Sequence, residues 1–155
     1  MQWSVLTFNE LSVDDLYESL KLRVDIFVVE QNCPYPELDE KDRHSETRHL
    51  LGRNDAGEIV AYARLLAPGV SYADASIGRV VVAEQARGGG VAHSLMSEAI
   101  RLTKRYWPDQ NIQLGGQEYL KAFYQKLGFE PVSEVYLEDG IPHLDMLYQS
   151  GETDI

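Results

Sequence analysis

The sequence predicts a mixed α/β fold, and three features carry that reading. Ile77, Val80, Val81 and Val82 form a compact β-branched run, the composition of a strand covered on both faces. From Val91 the period becomes helical, with Val91, Leu95, Ala99 and Thr103 recurring beside Met96 and Ile100. Before this pair the apolar runs follow one another as a meander. After it they alternate with helices, which places antiparallel and parallel neighbours in one sheet.

Taken in order, Trp3 to Phe8 alternates as a first strand. Ser12 offers an N-cap with Asp15 three residues on, and Leu16, Leu20, Val24, Phe27 and Val28 form the apolar stripe of a helix ending near Val29. The segment 30–47 carries two prolines and the acids Glu30, Glu37, Asp39, Glu40, Asp42 and Glu46, so it reads as loop or at most a short helical turn. Such a charge run is ordinarily a solvated loop; the sharper reading is a flap over a site that receives an amine. His49 to Arg53, a turn at Asn54 to Gly57, and Glu58 to Leu66 read as a hairpin. A strand begins near Ser76, and the helix from Val91 runs to about Tyr106, ended by Trp107-Pro108-Asp109. Ile112 to Leu114 is a short strand, Gly115-Gly116 a turn, and Gln117 to Leu127 a last helix with Gly128 at its C′ position. Two short strands flank Glu138-Asp139-Gly140. One domain over residues 1–149 with a frayed tail at 150–155 is expected.

Composition narrows the function. A net charge of -11 opposes nonspecific nucleic-acid binding and suits cationic partners. Cys33 is the one cysteine, which excludes an internal disulfide and a thiolate zinc cluster, and without a resolving partner it reads as a buried or incidental thiol. No other ligand cluster stands out, so no metal is expected. The N-terminus lacks the basic start and apolar core of a signal peptide, and no apolar run reaches spanning length, so a cytoplasmic protein without membrane contact is expected.

Between strand and helix lies Arg87-Gly88-Gly89-Gly90. Glycines let a ligand approach the backbone, and N–H groups opening a helix favour an anion such as phosphate. Two common phosphate motifs fail here. A P-loop needs Gly-Lys-Ser/Thr, whereas Val91-Ala92 follow Gly90, and the dinucleotide fingerprint needs a glycine where His93 stands. What remains, Arg87-x-x-Gly90-x-Ala92 after a β-branched strand, resembles the Arg/Gln-x-x-Gly-x-Gly/Ala signature of the GNAT acetyltransferase superfamily. Ala122 to Phe129, with Tyr124 four residues before Gly128-Phe129, is similar to the family's closing helix and turn. Ile26–Tyr35 (IFVVEQNCPY) and Glu138–His143 (EDGIPH) resemble the ElaA-like branch.

The resemblance implies a GNAT-like, mostly antiparallel central sheet of about six to seven strands flanked by helices. It implies acetyl transfer from acetyl-CoA, as co-substrate, to a primary amine of a small molecule or peptide by direct attack. The backbone from Arg87 through Gly88, Gly89, Gly90 and Val91 to Ala92 would hold the pyrophosphate. The strand edge Val80, Val81 and Val82 would pair with the pantetheine arm, with an N–H there polarising the thioester carbonyl. Gln117 would touch the arm. Tyr124 matches the residue that donates a proton to the departing thiolate; a phenol, of pKa about 10 against about 8.5 for a thiol, is protonated at neutral pH.

Some residues keep two readings. Tyr124 also fits a core aromatic, and Gly88 to Gly90 a plain tight turn. Lys121 and Lys126 fit a 3′-phosphate contact less well than a solvated helix face. Arg64 and Arg79, inside apparent strands, fit a buried ion pair as well as an acidic-substrate site. Some family members place a glutamate at the start of the central strand, where this chain has Ser76-Ile77-Gly78. His44, His49, Glu84 and His143 are therefore the candidate bases, with a water chain or an already neutral amine as alternatives. A catalytically weak acyl-CoA-binding sensor or interaction module is the competing function, and a homodimer is compatible with the small α/β class.

Overall fold

The computed structural model describes residues 1–149; the tail expected from residue 150 lies outside the described residues. One sheet of eight strands runs through the chain in the order β1-β2-β3-β4-β5-β8-β6, with β7 also paired to β8. The strands are β1 (Gln2–Leu6), β2 (Arg48–Arg53), β3 (Ile59–Leu66), β4 (Ala75–Val82), β5 (Ile112–Gln117), β6 (Glu130–Pro131), β7 (Tyr136–Glu138) and β8 (Ile141–Tyr148). The helices are α1 (Val13–Val24), α2 (Val91–Tyr106) and α3 (Lys121–Lys126). The expected six to seven strands become eight because the two-residue β6 pairs with β8, and β8 itself is long. All neighbours are antiparallel except β4 and β5.

Alternation on the central strands supplies a core on each face. Ala61, Ala63, Ile77, Leu114 and Met146 meet Leu95, Met96 and Ala99 of α2, while Val60, Tyr62, Leu51 and Val81 meet Leu22 of α1 on the other side. Ser12 caps α1, its hydroxyl accepting from Asp15 N–H at 3.0 Å. The buried positions of α1 are Ser19, Leu22 and Arg23, not the Leu16–Leu20–Val24 stripe that periodicity favours. An arginine holds the C-terminal end of that ridge because it has buried acidic partners. The chain then widens into a π-helical turn, Asp25–Glu30, closed by Asn32 at φ 50.

Two departures shape the centre of the sheet. Arg79 adopts φ 51, and the β3–β4 register shifts between Tyr62 and Arg64, so β4 carries a bulge that bends it. The parallel pairing of β4 and β5 stops after Ala75–Ile112 and Ser76–Gln113 although both strands continue. The course of β5 also corrects the expected turn at Gly115-Gly116. Both glycines lie inside β5, Gln117 ends that strand instead of opening a helix, and α3 begins only at Lys121. A Cβ on Gly116 would sit 2.8 Å from the Tyr124 ring and one on Gly115 would sit 3.0 Å from the Tyr136 hydroxyl, so these glycines serve close approach within a strand.

Candidate active site

Past Ser76 and Gln113, β4 and β5 separate around a cleft of about 380 Å³. One wall is β4 from Ile77 to Val82, the other is β5 from Leu114 to Gln117. The cleft floor takes Phe123 and Tyr124 of α3, and its far end takes the Asp25–Glu30 turn, Cys33, Tyr35 and the β7–β8 hairpin. Of the residues singled out in the sequence, Val80, Val81, Val82, Arg87, Ala92, Gln117 and Tyr124 line this one space.

The glycine turn lies at one end. Gly88, Gly89 and Gly90 adopt φ 93, 62 and 78, three successive left-handed residues that other side chains rarely adopt. A Cβ on any of them would meet nothing within 4 Å, so the demand there is conformational. Gly90 caps α2, its carbonyl accepting from Ser94 N–H at 3.0 Å, and the N–H groups of the first helical turn have no partner inside the helix. Arg87 departs from the expectation for this turn. Its N–H donates to Glu84 O at 3.3 Å, so it is already engaged. Its guanidinium donates to Val82 O at 3.1 Å and pairs with Glu30 at 3.0 Å, holding the turn against the end of the π-helical segment.

Tyr124 is buried, with its ring edge-on to Phe123 and Phe129 and against Gly116. Burial, helped by Tyr119, pushes its hydroxyl up to about 12. Gln117 donates through its side-chain amide to Gln31 at 3.2 Å, bridging β5 to the turn after α1. Lys121 and Lys126 of α3 are exposed.

The acidic segment is not the solvated loop its composition suggests. Arg23 donates to Glu37 at 2.7 Å and Asp42 at 2.9 Å; Arg64 to Asp39 at 2.7 Å and Asp42 at 3.0 Å; Arg79 to Glu37 at 2.9 Å. Three guanidinium groups thus face three carboxylates, and Glu37 and Asp42 are buried. Burial works to raise the pKa of Asp42, but Arg23 and Arg64 outweigh it and hold that carboxyl below its usual range. Arg64 and Arg79 take the ion-pair reading. The network fixes the segment carrying Cys33 and Tyr35, whose hydroxyl donates to Glu37, over the cleft. Cys33 is buried, and its thiol donates to Asp139 O at 3.3 Å, tying this segment to the β7–β8 hairpin.

The four candidate bases separate by position. His49 is buried, with Nδ1 2.7 Å from Tyr62 hydroxyl and Nε2 3.0 Å from Asp42 O, and burial lowers its pKa, so it serves the core. His44 is exposed and accepts from Glu46 N–H, and Glu84 is exposed on the turn after β4. Only His143 among the four lines the cleft. Sequence reasoning passed over Gln31, Tyr35, Tyr119, Glu138 and Asp139 as cleft residues. The Asp139-Gly140 dipeptide was the usable signal for the last pair: φ 51 and 80 make it a tight hairpin that turns both acids toward the cleft mouth.

Among the described residues, no group of three or more His, Cys, Asp or Glu is arranged to hold a metal ion, and no helix is long and apolar enough to cross a membrane.

Comparison with known proteins gives a consistent result. The acetyltransferase (GNAT) domain family matches residues 25–150. Protein ElaA of Escherichia coli (strain K12) is 48% identical over 147 residues, covering 94% of this chain and 95% of that protein. The crystal structure of E. coli ElaA superposes with a TM-score of 0.89 at 46% identity, covering 96% of this chain and 99% of that one. An acyl-CoA N-acyltransferase from Pseudomonas aeruginosa superposes equally well, at TM-score 0.89, 42% identity and the same coverage. The splayed parallel strands, the glycine turn and these relatives together lead to one conclusion: the chain belongs to the GNAT acetyltransferase family, as an ElaA-like member of this group of acyl-CoA-dependent acyltransferases.

Proposed function

We propose that the protein transfers an acetyl group from acetyl-CoA to a primary amine by direct attack. The observation that carries this reading is the open inner edge of β4, which runs on past its last β5 partner and leads to three left-handed glycines at the start of α2. That edge and that turn fit the two ends of one extended, phosphate-bearing thioester. The N–H groups of Gly88, Gly89, Gly90, Val91 and Ala92 would hold the pyrophosphate, and the backbone of Val80, Val81 and Val82 would pair with the pantetheine arm. Gln117 would face that arm from β5.

Tyr124 has a defined role in this scheme. With its hydroxyl at about 12, it is a neutral phenol at neutral pH. Full transfer of its proton to a thiolate of pKa about 8.5 is uphill by roughly 5 kcal/mol. Tyr124 therefore acts as a hydrogen-bond donor to the sulfur as negative charge develops. The proton that ends on sulfur is relayed from the attacking nitrogen, which becomes strongly acidic once bonded to the carbonyl carbon.

The acceptor end favours a cation. Glu138 and Asp139 line it, whereas the cleft's two arginines are already matched, Arg79 by Glu37 and Asp39 and Arg87, at the glycine turn, by Glu30. The test is release of free CoA thiol from acetyl-CoA across a panel of primary amines, with mass spectrometry of the products. Acetylated amine supports the reading. Tight CoA binding without turnover supports an acyl-CoA-binding module, and absence of both overturns it.

A further inference from the structure

We propose that His143 is the catalytic base, its Nε2 taking the proton from the incoming ammonium group. The inference rests on the acyl-transfer reading above and adds to it the group that readies the amine. Ser76-Ile77-Gly78 places no carboxylate at the start of the central strand, so no side chain there can take the proton.

The local geometry selects one tautomer. Nδ1 of His143 lies 2.7 Å from the carbonyl oxygen of Ile141, and a carbonyl only accepts, so Nδ1 carries the hydrogen. In the neutral imidazole the lone pair is then on Nε2. That nitrogen lies 3.5 Å from Glu138 Oε2, so a proton taken there has a carboxylate beside it. The ring is held from its face by Tyr136, with centroids 6.1 Å apart and planes inclined by 24°. Tyr136 is itself fixed by donating to Asp145 at 2.7 Å. Gln117, opposite His143 in the β5–β8 register, is neutral. Glu138 and Tyr136 are thus the titratable groups against the ring, with Asp139 and Cys33 lining the same cleft.

The step balances. The ammonium nitrogen gives one proton to Nε2, leaving a neutral amine and an imidazolium. The amine lone pair forms the N–C bond, and the C–S bond breaks with its electron pair going to sulfur. The second nitrogen-bound proton passes to that sulfur, and the imidazolium returns its proton to solvent.

The test compares two acceptors with acetyl-CoA: n-butylamine, almost wholly ammonium at neutral pH, and hydroxylamine, already unprotonated there. His143→Gln is expected to lower kcat/KM at least 100-fold with n-butylamine and by far less with hydroxylamine. Its pH profile with n-butylamine is expected to lose the acidic limb. Glu138→Gln, a change at an exposed residue, is expected to lose less than His143→Gln with n-butylamine and to keep the acidic limb. Equal loss with both amines, or an acidic limb that survives His143→Gln, overturns the assignment. If His143→Gln does not fold, the same two-amine comparison is made with His143→Asn, whose amide can keep the hydrogen bond to Ile141 O, and equal loss with both amines overturns the assignment. Wild-type protein that releases no CoA with either amine overturns the acyl-transfer reading itself, a result distinct from the others.

Discussion

Arg23 of α1 and Glu37 of the following segment meet at 2.7 Å with both side chains closed off from solvent. Through Asp42, Arg64 and Arg79 this pair extends into a balanced network that pins residues 33–43 against β3 and β4. Removing one member leaves a buried charge uncompensated. Glu37→Ala is therefore expected to destabilise the fold by about 3–5 kcal/mol, measured by urea unfolding. A loss below about 1 kcal/mol would show that the network is solvated.

Stability should fall with acid in two stages. The pKa of His49 lies below its ordinary 6.5 in the folded state, so from about pH 6.5 downward the unfolded chain binds a proton that the folded chain refuses. The pKa of Asp42 is depressed below 3.8, so its contribution is present above that value and is lost as pH falls through the folded pKa. His49→Gln should flatten the first stage and spare the second. Thermal unfolding followed from pH 8 down to about pH 2 checks both.

The glycine turn can be tested by charge alone. Asp and Asn both tolerate the left-handed conformation at Gly90 and both cap helices, so Gly90→Asp and Gly90→Asn should have similar stability. Only Asp adds a negative charge where phosphate is expected. Gly90→Asp should bind CoA about tenfold or more weakly than Gly90→Asn by calorimetry. Equal affinities would remove the pyrophosphate from this turn.

Tyr124→Phe keeps the ring against Gly116, Phe123 and Phe129 and removes only the hydroxyl. Turnover should fall roughly 100-fold or more, with CoA affinity and melting temperature little changed. Gly116→Ala reaches the same residue from behind, since its Cβ would lie 2.8 Å from the ring. It should displace Tyr124, lowering turnover and costing about 1–3 kcal/mol of stability. Normal turnover in Tyr124→Phe would leave the hydroxyl without a catalytic role.

Elements whose signals are local were legible in the sequence. The Val91–Tyr106 helix has the bounds its period indicates, and Ser12 caps α1. Gly115-Gly116 misled, because paired glycines mark a turn by propensity but here sit within a strand that must admit three tyrosine side chains. The apolar stripe of α1 misled too, since Arg23 rather than Leu16, Leu20 or Val24 is among its buried positions. Hydropathy assigns an arginine to the surface, and the carboxylates that keep it inside lie 14 and 19 residues further along the chain.

By itself the sequence determined the α/β class, the glycine turn at the start of α2 and the family, because each rests on neighbouring residues and on backbone preferences read over a few positions. Only the tertiary structure decided that β4 parts from β5 after two residue pairs, that the acidic segment is folded by three arginines, two of them buried, and that His143 rather than His44, His49 or Glu84 lines the cleft. The physical reason is the range of the interactions. Register, bulges and ion pairs join residues tens of positions apart, and each charge becomes structural or functional only through what the fold sets beside it.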